Sequence, residues 1–551
     1  MTLSADPQKP SPEERDCYYI GLAGQPKLIA RTSCDPWVKP FVEEDRWQGL
    51  TYVPARKRYS AIHDRDMVSK WSADLAEQII RSLRGCSWNF FFPIRIGLEH
   101  KREQYPVILV IAVENDSLSW EDGIPIALEC RELLRKHDIH DVEVEIREGR
   151  RHFFAASAEL ESLVNLKRDY GSSPSYQVLP LLSLVGSPIA YLENRPGQGT
   201  LGLHVKLHGD ESTYGLTCRH VVSRGRPAKD CYKLLPTSEP QYHIQANATT
   251  FEDCQWIVEY CIRRDEEMVE DLGGKKRRWE EYYYLDESKS HLCPTAVELY
   301  LLEFHTERLA CAKKWIDPLR RIEDKSARMI GQLMFHSSME FSTHQKGYLK
   351  DWALIKLDEH KFTESPKNRV FVGSRSPDTP PRTGPLRNLP SLKNIAADKD
   401  GILTLTHTYK EDKRSMDVAK FGATTMLTYG LKTEIEAVVR KPGDLEGHQY
   451  AWQMVIIPST GRFSDRGDSG SCVFNRFGQI MGLLSSSDNA GVWPEDGRRR
   501  YPGGNISPSR ADKSEGKQAE VPDGMDITFA DPIQWVFDDI ERFTSRKVEL
   551  A

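Results

Sequence analysis

Gly467-Asp468-Ser469-Gly470-Ser471 sets a serine between two glycines, in a turn whose tight bend and close approach to a substrate a Cβ would hinder. A hydroxyl becomes a useful nucleophile only when a neighbouring base takes its proton, and that base needs a carboxylate to fix its tautomer. Two further segments offer those groups. Leu216-Thr217-Cys218-Arg219-His220-Val221-Val222 is a short apolar run that delivers a histidine near its end. Lys350-Asp351-Trp352-Ala353-Leu354-Ile355-Lys356-Leu357 opens a strand-like apolar run with an aspartate. The chemistry these residues would do together is acyl transfer: Ser469 as nucleophile, His220 as general base and then acid, Asp351 as orienting carboxylate. The amides of Gly467 and Ser469 would converge on the developing oxyanion. Taken alone, each group has a plainer reading: a polar turn, a core or surface histidine, a strand-start cap.

In chain order the three segments read His, Asp, Ser, and they resemble the L-T-A-x-H, D-x-A-L-L and G-D-S-G signatures of trypsin/chymotrypsin-like serine peptidases. The resemblance runs from about residue 175 to the C-terminus and says nothing of what precedes it. It implies an all-β double β-barrel of chymotrypsin type, a serine endopeptidase working through an acyl-enzyme, a protein or peptide substrate, and neither cofactor nor metal. Val418-Ala419-Lys420-Phe421-Gly422-Ala423-Thr424-Thr425, continuing to Thr428 and Gly430, resembles the strand pair that opens the second barrel in many intracellular and bacterial-type members. The texture resembles fungal trypsin-like proteins more than secreted digestive enzymes. In the family the residue six before the nucleophile lies at the base of the substrate pocket. Here it is Phe463, so a preference for Arg or Lys is not expected. Ser464, Asp465 and Arg466 would line or rim that pocket. Ser485-Ser486-Ser487 stands where many digestive relatives have S-W-G, and Leu484 is not the histidine of glutamate-specific relatives. A small or medium apolar side chain is the expected preference. Leu184-Val185-Gly186-Ser187-Pro188 replaces the R-I-V-G-G-like activation site, so Asp468 needs a partner other than a freed N-terminus.

The elements that must position these groups follow from composition and pattern. At 551 residues the chain suggests two or three domains. Residues 1–45, rich in Pro, Asp and Glu, read as a mobile tail or loose strap. In 46–170, Trp71, Leu75, Ile79, Ile80 and Leu83 recur at helical spacing before Gly85. Trp88 to Ile96 and Val107 to Val113 are strand-like, and Ser119 with Asp122 opens a helix. Val142, Val144 and Ile146 alternate with charge, as in a half-buried strand. This is a small α+β domain, read as a regulatory or interaction module. The first barrel is expected over 175–358. It carries a charged helical insertion at about 251–325, because about 130 residues separate His220 from Asp351, more than a barrel half needs. A linker over 359–400, including Ser374 to Pro381, leads to a second barrel over 401–551. That barrel contains a Gly/Ser/Pro-rich loop at 503–523 and ends in a helix over Pro532–Phe543.

Composition narrows function further. A formal charge of −6 makes no global case for nucleic acid or an anionic membrane. No run reaches bilayer-spanning length, and the N-terminus lacks the apolar core of a signal peptide. Eleven cysteines without metal spacing read as reduced thiols, hence an intracellular, cytoplasmic protein. Lys275-Lys276-Arg277-Arg278 resembles a short nuclear-import signal, but such a run is more often a solvated loop, and the glutamates around it argue against nucleic acid. The module or the insertion could dock a regulatory protein and switch the peptidase. The alternative from another class is a catalytically silent pseudo-peptidase that uses its cleft as a protein-binding scaffold.

Overall fold

The computed structural model describes residues 6–551 except 47–48, 64, 154–183, 192–197, 224–226, 228, 236, 241, 247, 284–292, 322, 342–346, 363, 373–394, 399–400, 410–413, 442–443, 445–448, 460 and 489–524. The expected linker segment Ser374–Pro381 and the 503–523 loop therefore lie outside the described residues.

Strand β1 (Leu28–Arg31), helix α1 (Ala73–Ser82), strands β2 (Trp88–Leu98) and β3 (Val107–Val113), helix α2 (Trp120–Lys136) and strand β4 (Glu143–Glu148) follow the expected α-β-β-α-β pattern, with β1 added at the edge. The strand order is β1-β4-β3-β2, and β4 runs parallel to β3. Local chemistry sets the helix starts: the Ser72 hydroxyl accepts from the Leu75 amide and Ser119 from the Asp122 amide. Every residue of β3 is buried, as expected for a strand covered on both faces. On β4 most of the charged face is not solvated: Glu145 and Arg147 are buried, and Glu143 at the strand start stays partly exposed. Tyr18 and Tyr19, within the stretch read from composition as a mobile tail or loose strap, cover that face instead. Tyr18 and Tyr19 donate to the Glu145 carboxylate at 2.6 and 2.5 Å, and β1 pairs antiparallel with β4. A few aromatic and branched residues within a polar stretch were enough to order it. A three-residue strand, β5 (Arg151–Phe153), follows β4 directly.

The next unit is a half-barrel. Its strands are β6 (Ser187–Tyr191), β7 (Gln198–Leu201), β8 (Leu203–Leu207) and β9 (Thr213–Thr217), then, after the short helix α3 (Arg219–Val222), β10 (His243–Ala246). The helices α4 (Ala248–Tyr283) and α5 (Ala296–Arg321) intervene before β11 (Met329–His336) and β12 (Ala353–Leu357). The two helices are the expected insertion. They are tied by buried Asp265, which accepts from His305 Nδ1 at 2.9 Å and Arg308 Nε at 2.6 Å. The basic run at 275–278 lies inside α4 rather than in a loop, with Lys275 ion-paired to Glu298.

The last unit comprises β13 (Met416–Gly422), β14 (Met426–Arg440), β15 (Tyr450–Pro458), β16 (Cys472–Asn475), β17 (Gln479–Asp488) and β18 (Ile527–Pro532). Helix α6 (Ile533–Thr544) and β19 (Val548–Leu550) end the chain, and β19 crosses back to pair with β8. The half-barrel order is β7-β6-β10-β11-β12-β9-β8-β19. In the last unit the path β14-β13-β16-β17-β18-β15 returns from β15 to β14, which closes a six-stranded barrel. A mostly-β molecule with one closed and one half-barrel is consistent with the double barrel that the sequence resemblance implies. β14 outruns the barrel. Its Val438 and Val439 pair with Phe91 and Phe90 of β2, so the N-terminal sheet and the second barrel form one continuous hydrogen-bonded sheet. A shared core of Trp88, Phe90, Phe91, Val438, Trp452 and Phe529 fills the junction.

Candidate active site

Strand register brings the histidine and the aspartate together. β9 and β12 pair antiparallel, with Thr217 opposite Ala353, so the residues just after β9 and just before β12 emerge at the same end. His220, in the turn of α3, donates its backbone amide to Asp351 Oδ1 at 3.0 Å, and its ring Nδ1 lies 2.6 Å from Oδ2. The Asp351 side chain is fully buried and that of His220 is 10% exposed. Burial alone would raise the Asp351 pKa. The charge of His220 and its two hydrogen bonds outweigh it and hold the carboxyl below its usual range. An ionised Asp351 accepts only, which puts the ring proton on Nδ1 and the basic lone pair on Nε2. Next to Asp351, the Trp352 indole donates to Asp539 of α6 at 2.8 Å, so the C-terminal helix braces this strand end.

The Ser469 turn is pressed onto the half-barrel. Gly467 and Gly470 have φ of +99° and +89°, a region that L side chains enter only with strain. A Cβ on Gly470 would stand 2.3 Å from Thr217 Oγ1 and 2.4 Å from the Thr200 carbonyl. Thr200 stitches the turn to β7: its amide donates to the Ser469 carbonyl and its hydroxyl to the Gly467 carbonyl, both at 2.9 Å. Ser469 Oγ donates to the Ser485 carbonyl at 3.2 Å, and Ser469 itself is fully buried. His220, Asp351 and the Ser469 turn thus adjoin at the seam between half-barrel and closed barrel.

Asp468 has the partner that the sequence left unassigned. Lys420 of β13 sits with its ammonium 3.1 Å from Asp468 Oδ2, both side chains completely enclosed. Burial pulls the Lys420 pKa down, and the Asp468 charge opposes that. Asp468 also accepts from the amides of Thr424 (2.8 Å), Thr425 (3.2 Å) and Asp465 (2.9 Å) and from the Thr425 hydroxyl (2.7 Å). The pattern read as a barrel-opening strand pair thus supplies the cation and amides that hold the Ser469 turn. The signal in the sequence was a lysine at an inward position of an apolar strand.

Of the residues expected around a substrate pocket, Phe463 is buried in the apolar interior of the closed barrel with Val418, Ile456, Val473 and Leu484. Ser464 hydrogen-bonds Thr528 at 2.6 Å and, with the Phe463 amide, reaches buried Asp526, whose pKa burial raises to about 6. Asp465 pairs with Arg462 at 3.0 Å, and the half-buried Arg466 donates its amide to Asp465. Ser485, Ser486 and Ser487 on β17 are all buried. Beneath them runs a polar chain that sequence reasoning missed. Gln453 Nε2 donates to Ser485 Oγ and to Asp531, both at 2.9 Å, while Arg151 of β5 donates to Gln453 Oε1 at 3.0 Å. Burial lifts the Asp531 pKa to about 7, with the nearby Asp351 charge adding to the rise.

Cys218, His220 and Asp351 bring a potential ligand atom each within 4.8 Å of one another. The buried Cys218 thiol donates to the Leu484 carbonyl at 3.2 Å, and burial pushes its pKa well up. A separate cavity of about 650 Å³ lies among His63, Ser69, Arg414, Asp417 and Glu434, and none of the triad candidates lines it.

No protein-family model matches the chain, and no curated protein matches it. Among solved structures it is similar to Thermobifida fusca Protease A, at 10% identity over 67% of this chain and 100% of that one, with a TM-score of 0.27. A glutamic acid-specific serine protease, described as using a histidine triad in substrate binding, covers the same shares at 10% identity and a TM-score of 0.26. Cellulomonas bogoriensis chymotrypsin aligns over 40% of this chain and 76% of its own, at 13% identity and a TM-score of 0.20. Likenesses this loose decide nothing about the chemistry. The closed barrel is defined by its own ring of paired strands.

Proposed function

We propose that the chain is a serine endopeptidase in which Ser469, His220 and Asp351 act as a triad. The observation that carries this reading is the doubly hydrogen-bonded, buried His220–Asp351 pair beside a glycine-flanked serine turn. His220 Nε2 takes the Ser469 proton as Oγ attacks a peptide carbonyl carbon. The tetrahedral oxyanion is met by the Gly467 and Ser469 amides, His220 then protonates the leaving amine, and water clears the acyl-enzyme by the reverse sequence. Lys420 and Asp468 hold the turn in place of a freed N-terminus. The side chain accepted next to the scissile bond is small or medium and apolar, and the protein works inside the cell. The free thiols of Cys17, Cys86, Cys130, Cys218, Cys231, Cys261, Cys293 and Cys472 fit a reducing compartment.

A small fluorophosphonate that needs no peptide recognition is expected to label the purified chain, and both Ser469→Ala and His220→Ala should abolish labelling. Labelling that survives Ser469→Ala would defeat the assignment. The full burial of Ser469 favours a second reading, the silent scaffold. An unlabelled full chain that still captures a partner protein after Ser469→Ala would support it.

A further inference from the structure

β17 has two edges. Along Gly482–Asp488 one edge carries β18. The other carries β16, opposite Ile480–Leu483, and β16 ends there. At Ser486, Ser487 and Asp488 that vacated edge is taken by β5, with Phe153, His152 and Arg151 directly opposite. The pairing is antiparallel, so β5 runs from Asp488 toward Ser486 and onward to Ser485, whose carbonyl accepts from Ser469 Oγ. An extended peptide that added itself to this edge in that direction would carry its backbone to the nucleophile.

We infer that β5 is an intramolecular stand-in for a peptide substrate: the chain keeps its own strand on the peptide-binding edge, and an outside peptide engages only when β5 leaves. This rests on the reading of Ser469 as nucleophile. Two observations set β5 apart from an ordinary edge strand. Its anchor reaches the site, because the enclosed Arg151 guanidinium bonds Gln453, which in turn bonds Ser485, and also bonds the Arg440 carbonyl at 2.8 Å. Its described ladder also spans three residues, on a module otherwise locked into the large sheet through β2 and β14. Few of these described ladder bonds have to be exchanged for a longer peptide to take its place, while the module stays where it is. The buried Arg147–Asp488 ion pair fixes the start of this ladder and so its register.

The test uses the full chain, the small fluorophosphonate, and a mixture of tetrapeptidyl diphenyl phosphonates that must lie along the edge to react. Arg151→Met removes the anchor and keeps the apolar stem; His152→Pro removes a backbone donor from β5. Both variants should react with the peptidyl mixture roughly tenfold faster than wild type or more, as for an edge that is open a tenth of the time or less in the parent. A variant that still reacts with the small probe but gains nothing toward the mixture would overturn the inference. Should neither variant fold, hydrogen exchange on wild type driven to completion with the mixture decides. Amides 151–153 should lose protection in the adduct, and retained protection, or a mixture that never reacts where the small probe does, overturns the inference. No small-probe reaction in any form would instead bring down Ser469 as nucleophile, and the inference with it.

Discussion

At the scale of single residues, the least replaceable group outside the proposed triad is Lys420. Its ammonium is the enclosed countercharge to Asp468, the residue that precedes the proposed nucleophile and gathers three amides and a hydroxyl from the β13–β14 connection and the Ser469 turn. Removing one partner of a buried pair leaves the other charge uncompensated, at a cost of about 3–5 kcal/mol. Lys420→Met keeps the aliphatic stem and removes the charge. It should lower the unfolding free energy in urea by about that amount. Because Asp468 would then lack its enclosed countercharge, the turn should also loosen, and fluorophosphonate labelling should slow well beyond what the lost folded fraction explains. A stable Lys420→Met protein with parental labelling would mean that the amides alone hold Asp468.

At the scale of elements, the site depends on how closely two strands approach the Ser469 turn. A Cβ on Gly202, between β7 and β8, would lie 2.0 Å from the Gly470 carbonyl oxygen, a backbone atom that cannot swing aside. Gly202→Ala should therefore displace the Ser469 turn without touching a side chain of the proposed triad. Labelling should fall by at least about 100-fold, the scale of loss that a misplacement of about 1 Å brings, while the barrel strands keep their exchange protection. Unchanged labelling would show that the turn tolerates the shift. The same elements show what could be read from the sequence. His220 and Asp351 were legible because each ends or opens an apolar run, and antiparallel pairing of those runs is enough to join them. α1, β2, β3 and α2 were legible from period and caps. β5 was not: three residues have no period, and its partners Gln453 and Arg440 lie 302 and 289 positions away. The charged face of β4 misled for a related reason, since alternation marks polar positions but cannot tell whether a further layer, here Tyr18 and Tyr19, covers them.

At the scale of the whole molecule, three bodies of structure meet at β18: the closed barrel, the half-barrel through Asp351, and the N-terminal sheet through Arg151. The cost of that meeting is a set of enclosed carboxyls, and it fixes how stability depends on pH. Burial raises Asp531 to about 7 and Asp526 to about 6, against about 4 in an unfolded chain. Between those values the folded protein binds more protons than the unfolded one. Stability is then greatest at the acid end of the window and falls as pH rises, by about 1.4 kcal/mol per pH unit for each excess proton. Asp351 works the other way. Its lowered pKa adds stability that is lost only as pH falls below the ordinary carboxylate range, outside this window. Asp531→Asn removes one titrating group and keeps an oxygen that can accept from Gln453 Nε2. The variant should gain on wild type steadily from pH 5 to pH 8 in urea unfolding, with the gap levelling once Asp531 is fully ionised in the parent. A gap that stays constant across that range would mean that Asp531 does not titrate there, and that the polar chain from Arg151 to Ser485 is held in one charge state throughout.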